Sequence, residues 1–268
     1  MKLCFSTLGC PDWKLSEVYA AVKDLGVRGI EIRRLENIGF APDMKAFSED
    51  KIDETVSMLK AGGVEIPLLA SHAVFGKPEL ANAALGEIDA YCKLAVKLKT
   101  KYIKVSLNKE PNDFSLDTEF ALNTVRLLSK TAKSYGVELL IMTNAAFSDT
   151  AKLKDFIEKA GCDNLFALWD VNYTHRFANE EPKASMDNLN GLIKFVHIKD
   201  STGVENGKIS FCPLGSGDVK LKETLKLLQG SGYDGYVSFE WKRSWGEEFS
   251  VPGITLSHCV SFVKRIVD

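Results

Sequence analysis

The chain predicts an α/β fold, a single (β/α)8 TIM barrel filling residues 1–268, on three observations. First, an amphipathic helix, a glycine or polar stop and a short apolar run recur along the whole length. Strict alternation of helix and strand calls for parallel strands joined by helical crossovers. Second, a length of 268 residues suits one barrel, because such domains run to roughly 250 residues. Third, the turn after the first strand, Thr7-Leu8-Gly9-Cys10-Pro11, lacks the GxGxxG pattern with which an open doubly wound sheet usually cradles a nucleotide. No Pro-, Ser- or Gly-rich linker marks a boundary, so one domain is expected.

The elements follow in order. Residues 2–6 supply the first strand. In residues 15–25, Leu15, Val18, Ala21, Val22 and Leu25 share one helical face, Gly26 stops the helix, and residues 27–33 form the second strand. A helix at 51–61 stops at Gly62-Gly63 before the strand 64–70. A long helix at 79–98 leads to the strand 102–107, and a helix at 117–135 leads through Gly136 to the strand 137–143. The remaining pairs are 150–160 with 165–170, 184–190 with 194–198, and 220–229 with 236–241. A last helix at 254–267 closes the chain. One longer insertion, 201–217, carries Asn206-Gly207 between short extended segments, a hairpin signal that places a cover over part of the barrel mouth.

Charge and composition narrow the function. Thirty-four Lys and Arg nearly balance 36 Asp and Glu, so no global field favours nucleic acid or membrane. No apolar run approaches the roughly 18 residues of a membrane span, and the first ten residues are too short in apolar content for a secretory signal. Six scattered cysteines without a CxxC pair argue against a zinc ribbon or disulfide framework and for a reducing, cytoplasmic setting. A small-molecule ligand is expected, with a homo-oligomer open.

A barrel carries its chemistry at the strand C-termini, so the polar residues there are the candidates. They are Glu31 and Arg33 on strand two, His72 on three, Lys104 on four, Asn144 after five, and Asp170 on six. His175 and Arg176 lie beyond Asp170, His197 and Lys199 on strand seven, and Glu240 and Lys242 on strand eight. Asp170, His197 and Glu240 end consecutive strands, and two carboxylates with an imidazole can hold a divalent cation with open positions. Such an ion polarises a carbonyl or activates water. Lys104 and Lys199 interrupt apolar strands, which fits either a substrate contact or an internal ion pair, with Glu31 for example. Gly215-Ser216-Gly217-Asp218 fits a turn into the next helix better than a phosphate cradle, since Asp218 is a poor neighbour for an anion.

These residues and their surroundings resemble the xylose isomerase-like superfamily of sugar isomerases and epimerases, which includes inosose isomerases and dehydratases, ketose 3-epimerases and endonuclease IV. The resemblance spans nearly the whole chain. It is carried by Gly29-Ile30-Glu31-Ile32-Arg33, Trp169-Asp170, Val196-His197-Ile198-Lys199-Asp200, Pro213-Leu214-Gly215-Ser216-Gly217-Asp218 and the run from Gly232 to Trp241. It implies a divalent metal (Mn, Mg, Co or Zn) held by Glu, Asp, His and Glu from strands five to eight. The last three fall on Asp170, His197 and Glu240. Where the first glutamate belongs, this chain has Met142-Thr143-Asn144. A thioether neither titrates nor suits Mg²⁺ or Mn²⁺, so the metal is expected to be held more weakly.

The resemblance implies a sugar or inosose isomerase or epimerase that moves a proton on a small polyhydroxy carbonyl compound. Glu240 and Lys199 are the catalytic candidates. Arg33, His72, Lys104, Asn144, His175, Arg176 and Lys242 are the substrate contacts. Two alternatives stand beside it: a catalytically degenerate sugar binder, suggested by Met142, and a metal-assisted dehydratase or lyase, for which one base suffices. The nucleic-acid branch is disfavoured, because only four histidines are present and no basic excess exists.

Overall fold

The computed structural model describes residues 1–267. In chain order its strands are β1 (Lys2–Ser6), β2 (Gly29–Ile32), β3 (Glu65–Val74), β4 (Tyr102–Ser106), β5 (Glu138–Met142), β6 (Leu165–Asp170) and β7 (Ile193–Ile198). An antiparallel pair follows, β8 (Asp200–Glu205) and β9 (Lys208–Cys212), and then β10 (Tyr236–Phe239). Strands β1 to β7 and β10 are parallel, and β1 bonds to both β2 and β10, which closes the barrel.

The crossovers are α1 (Leu15–Leu25), α2 (Ile52–Gly62), α3 (Pro78–Leu98), α4 (Thr118–Ser134), α5 (Thr150–Ala160), α6 (Val171–Ala178) with α7 (Pro182–Asn188), α8 (Leu221–Gly230) and α9 (Pro252–Val267). Their ends follow from local chemistry. The Asp117 and Asp149 carboxylates accept the Phe120 and Lys152 amides at 3.0 and 3.1 Å, satisfying donors that a first helical turn leaves free. Gly26 ends α1 at φ 66°, a left-handed value that glycine adopts without strain. No helix among the described residues is long and apolar enough to cross a membrane.

Every barrel strand is covered by helices outside and filled inside. Cys4, Leu68, Leu140, Leu168, Phe195 and Tyr236 pack together as an apolar cluster separate from the helix-facing core. They form the floor of the barrel interior. Side chains alternate across a strand, so the next inward residues, two further along, are Ser6, Ala70, Met142, Asp170, His197 and Ser238. One more step reaches Lys199 and Glu240. Barrel register adds Glu31 opposite Leu68, and Lys104 between Ala70 and Leu140. A layer of charge therefore sits directly on an apolar floor, at the C-terminal end of the strands.

The expected strands and crossovers are present, with two differences in detail. The crossover helix expected at 184–190 is α7, Pro182–Asn188, and a further helix, α6, starts immediately after Asp170. Asp170 itself caps α6, accepting the Tyr173 amide at 3.1 Å. The segment after β7 folds as the hairpin that Asn206-Gly207 signals. Glu205 pairs with Lys208 across it, and Asn206 and Gly207 take φ of 50° and 75°, as a two-residue turn matched to strand twist requires. All six cysteines are free.

Candidate active site

Five charged residues, Glu31, Asp170, His197, Lys199 and Glu240, meet inside the mouth. His197 Nε2 lies 3.0 Å from Glu31 Oε2, and Ser238 Oγ donates to the same oxygen at 2.6 Å. The other ring nitrogen, Nδ1, lies 3.7 Å from Asp170 Oδ2 and 3.8 Å from Glu240 Oε2 and makes no hydrogen bond. The Lys199 ammonium stands 2.6 Å from Asp170 Oδ2 and 2.6 Å from Glu240 Oε1, and 4.0 Å above the Tyr173 ring. Glu31, Asp170, His197 and Lys199 are buried almost completely.

Burial without compensation would neutralise these groups, but each has an opposite neighbour. Burial opposes charge on His197, yet Glu31, Glu240 and Asp170 outweigh it and raise the imidazole to about 10. Burial likewise opposes the Lys199 charge, and Asp170 and Glu240 reverse this, holding the ammonium well above its ordinary value. For Glu240, burial alone would raise the carboxyl. The Lys199 and His197 charges overcome it and hold the group well below the usual carboxylate range.

Above this cluster opens a cavity of about 500 Å³. Arg33, His72, Lys104, Met142, Glu240 and Lys242 line it, with Tyr173 on the β6 side. The hairpin closes one wall. Its Phe211 stacks on Trp245 with ring centres 3.6 Å apart and planes 11° apart, and Ile209 lies beside it. Arg33 donates through Nη1 to the Ala70 and Ser71 carbonyls at 2.9 and 3.1 Å. Lys104 is buried, and its ammonium has neither a hydrogen bond nor an ion-pair partner among the described residues. Burial, reinforced by the nearby Arg33 charge, pushes it down to about 7. Burial and the charges of Arg33 and Lys104 likewise lower His72 to about 4.

The other candidates lie elsewhere. Asn144 is buried behind the wall and donates to the Asn108 carbonyl at 2.9 Å. His175 and Arg176 sit on α6, outside the cavity lining, where Arg176 bonds Ser201 and Asp218 and His175 lies 3.9 Å from Asp218. Lys199 and Lys104 take opposite roles, the first ion-paired and the second unpaired. The amides of Gly215 and Gly217 donate to Asp200 Oδ2 at 2.8 and 3.0 Å, so that turn is filled by the chain's own carboxylate. Glu31 as the partner of His197, and Tyr173 under Lys199, were not singled out from sequence. Period-two counting along β2 points to Glu31, but its pairing across 166 residues arises only on barrel closure.

Glu31, His197 and Glu240 each bring one ligand atom within 4.8 Å of the others, a possible metal site. Asp170 falls outside that trio and is engaged by Lys199. The donor types fit a divalent cation. His197 Nδ1 is an orphaned buried atom facing two carboxylates. Its other nitrogen is fixed by Glu31, much as a hydrogen-bonded carboxylate orients a metal-binding histidine. The Lys199 ammonium stands between Asp170 and Glu240.

Residues 19–255 match the family model of the xylose isomerase-like TIM barrel. The chain belongs to this family. Comparison with curated proteins gives no match. Among solved structures, this family member is similar in fold to the probable 3-DHS dehydratase AsbF of Bacillus anthracis, at 17% identity over 98% of this chain and 99% of that one, TM-score 0.79. It is also similar to the IolI protein solved with a zinc atom, at 16% identity over 100% and 98%, TM-score 0.81. A third is D-psicose 3-epimerase of Clostridium cellulolyticum H10, solved with D-tagatose, at 16% identity over 100% of both chains, TM-score 0.76. At these identities the likeness is one of fold. Sugar epimerases and a dehydratase thus share the scaffold of this xylose isomerase-like barrel.

Proposed function

We propose that this barrel is an isomerase or epimerase acting on a small polyhydroxy carbonyl compound of the sugar or inosose type. The observation that carries this reading is the convergence of Asp170, His197, Lys199 and Glu240 beneath one cavity at the C-terminal strand ends, where barrel chemistry is built. Glu240 is the base for the carbon-bound proton. Held as an anion by Lys199, it is a weak base in the free protein. When the Lys199 ammonium turns to a substrate oxygen, Glu240 loses its closest counter-charge and binds a proton more strongly. Base strength then rises only where substrate is bound. Arg33, Lys104 and Lys242 hold the substrate's polar groups, and the Phe211–Trp245 stack excludes water on one side.

Asp170, His197 and Glu240 would hold a divalent cation (Mn, Mg, Co or Zn), with Glu31 orienting the imidazole. When bound, such an ion supplies Lewis-acid polarisation of a carbonyl or hydroxyl oxygen. Met142 reaches the cavity from β5 and contributes no charge and no proton.

The test is incubation with a panel of ketoses and inososes in deuterated water with Mn²⁺. Deuterium entering one panel member, and lost with Glu240→Gln, is the expected result. No incorporation into any member overturns the reading. Met142 itself favours a second reading. With Glu240 the one carboxylate of the buried cluster that lines the cavity, elimination of water is feasible where two-base epimerisation is not, and a 2-keto product would distinguish it.

A further inference from the structure

We infer that the ligand of this cavity carries an anionic group, a carboxylate or a phosphoryl group, bound between Lys104, Arg33 and Lys242. The inference rests on the reading that the cavity is the substrate site, and it adds the ligand's charge. Three observations carry it. The first is the imbalance of the wall, where Arg33, Lys104, Lys109 and Lys242 face only Glu110 and Glu240, and Glu240 is already neutralised by Lys199 at 2.6 Å.

The second is the continuation of the cavity. A neighbouring lobe of about 460 Å³ shares Arg33, His72 and Lys242 with it and adds Arg34 and Arg243, with no carboxylate in its lining. Arg243 is paired with Asp12, while Arg34 makes its bond to the Asn37 carbonyl and has no carboxylate partner among the described residues. Cationic walls in a low-dielectric cleft concentrate anions.

The third is Lys104 itself. It is only 7% exposed, it projects from the middle of an apolar strand, and no carboxylate pairs with it among the described residues. Its stem is buried while its ammonium opens on the cavity, and a charge so little hydrated and without a protein partner is costly. Such a group fits a site completed by a ligand, because the anion supplies the missing counter-charge when it binds. Arg33 is held in place by two backbone carbonyls, so part of its guanidinium edge is fixed while the rest faces the cavity.

Calorimetric titration of the EDTA-treated protein at pH 6.5 with gluconate, sorbitol and inorganic phosphate tests this. Gluconate, phosphate or both should bind at least about tenfold more tightly than sorbitol. Gluconate alone identifies a carboxylate, and phosphate alone a phosphoryl group. Lys104→Met and Lys104→Gln should each lose about tenfold or more in anion affinity while melting no lower than the parent protein, a result a purely structural lysine would not give. Sorbitol binding as well as the anions, absence of any anion binding, or unchanged anion affinity in both folded variants overturns the inference. Because no metal and no turnover are involved, failure here is distinguishable from failure of deuterium exchange.

Discussion

The Lys199 ammonium lies 2.6 Å from the Asp170 carboxylate, and it lies equally close to Glu240. One side chain therefore serves as counter-charge to both carboxylates, which with His197 would hold a divalent cation. The chain's own cation fills the gap between the two carboxylates.

Lys199→Met should accordingly bind Mn²⁺ or Zn²⁺ more tightly than the parent protein, by about tenfold or more, since a like charge is removed from the coordination space. Isothermal titration reads this directly. Equal affinities would mean that Lys199 does not stand in the cation's way.

Met142→Glu adds a carboxylate on β5, in the inward column that holds Asp170 and His197. We expect a further gain of about tenfold in divalent-metal affinity, measured by the same titration. An unchanged affinity would show that position 142 does not reach the ion.

Metal binding should strengthen with rising pH. The His197 ring is raised to about 10 by Glu31, Glu240 and Asp170 against the opposing effect of burial, so a cation must displace a proton from Nδ1. Affinity then improves by about tenfold per pH unit across pH 7–9 and levels off near 10. A flat profile would mean that the ring binds no ion. The same shift affects stability in the opposite sense. The contribution of charged His197 is complete below its ordinary value of 6.5 and is lost as pH rises through about 10.

Much of the site was legible in the sequence because it is written in strands. Arg33, Lys104, His197, Lys199 and Glu240 fall on inward positions by period-two counting from apolar neighbours, and the alternation of elements fixes the barrel that collects them. His175 and Arg176 read as mouth residues because the stretch after Asp170 reads as a loop. The Asp170 carboxylate caps a helix at once, and that helix carries both side chains toward Asp218. The pairing of Glu31 with His197 depends on closure of the sheet between β1 and β10, and the ion pair of Lys199 on the seating of β7 between β6 and β10, neither of which local patterns encode.

Lys104→Met should raise thermal stability, with the sign of its pH dependence opposite to that of His197. Arg33 and Glu31 on the β2 side, Glu87 on α3 and Glu240 after β10 are the charges that act on Lys104. Burial, the largest influence, lowers it from 10.5 to about 7. The unfolded chain therefore binds the extra proton between those values, and the penalty for burying the charge is full below pH 7 and vanishes toward 10.5. The variant's gain in melting temperature should be several degrees at pH 6 and small at pH 10, at about 2–4 °C per kcal/mol for a chain of this size. A lower melting temperature at pH 6 would contradict it.

The period of two along the barrel wall has a consequence for how this protein can change. Substitutions alter one tooth of the ring at a time, and the loops tolerate changes of length. A single deletion at Val196 would instead rotate the remainder of the strand by half a turn, turning an imidazole and an ammonium toward the helices and greasy residues toward the cavity. The chemistry of such a barrel is thus free to drift by replacement, while the spacing that delivers it stays locked.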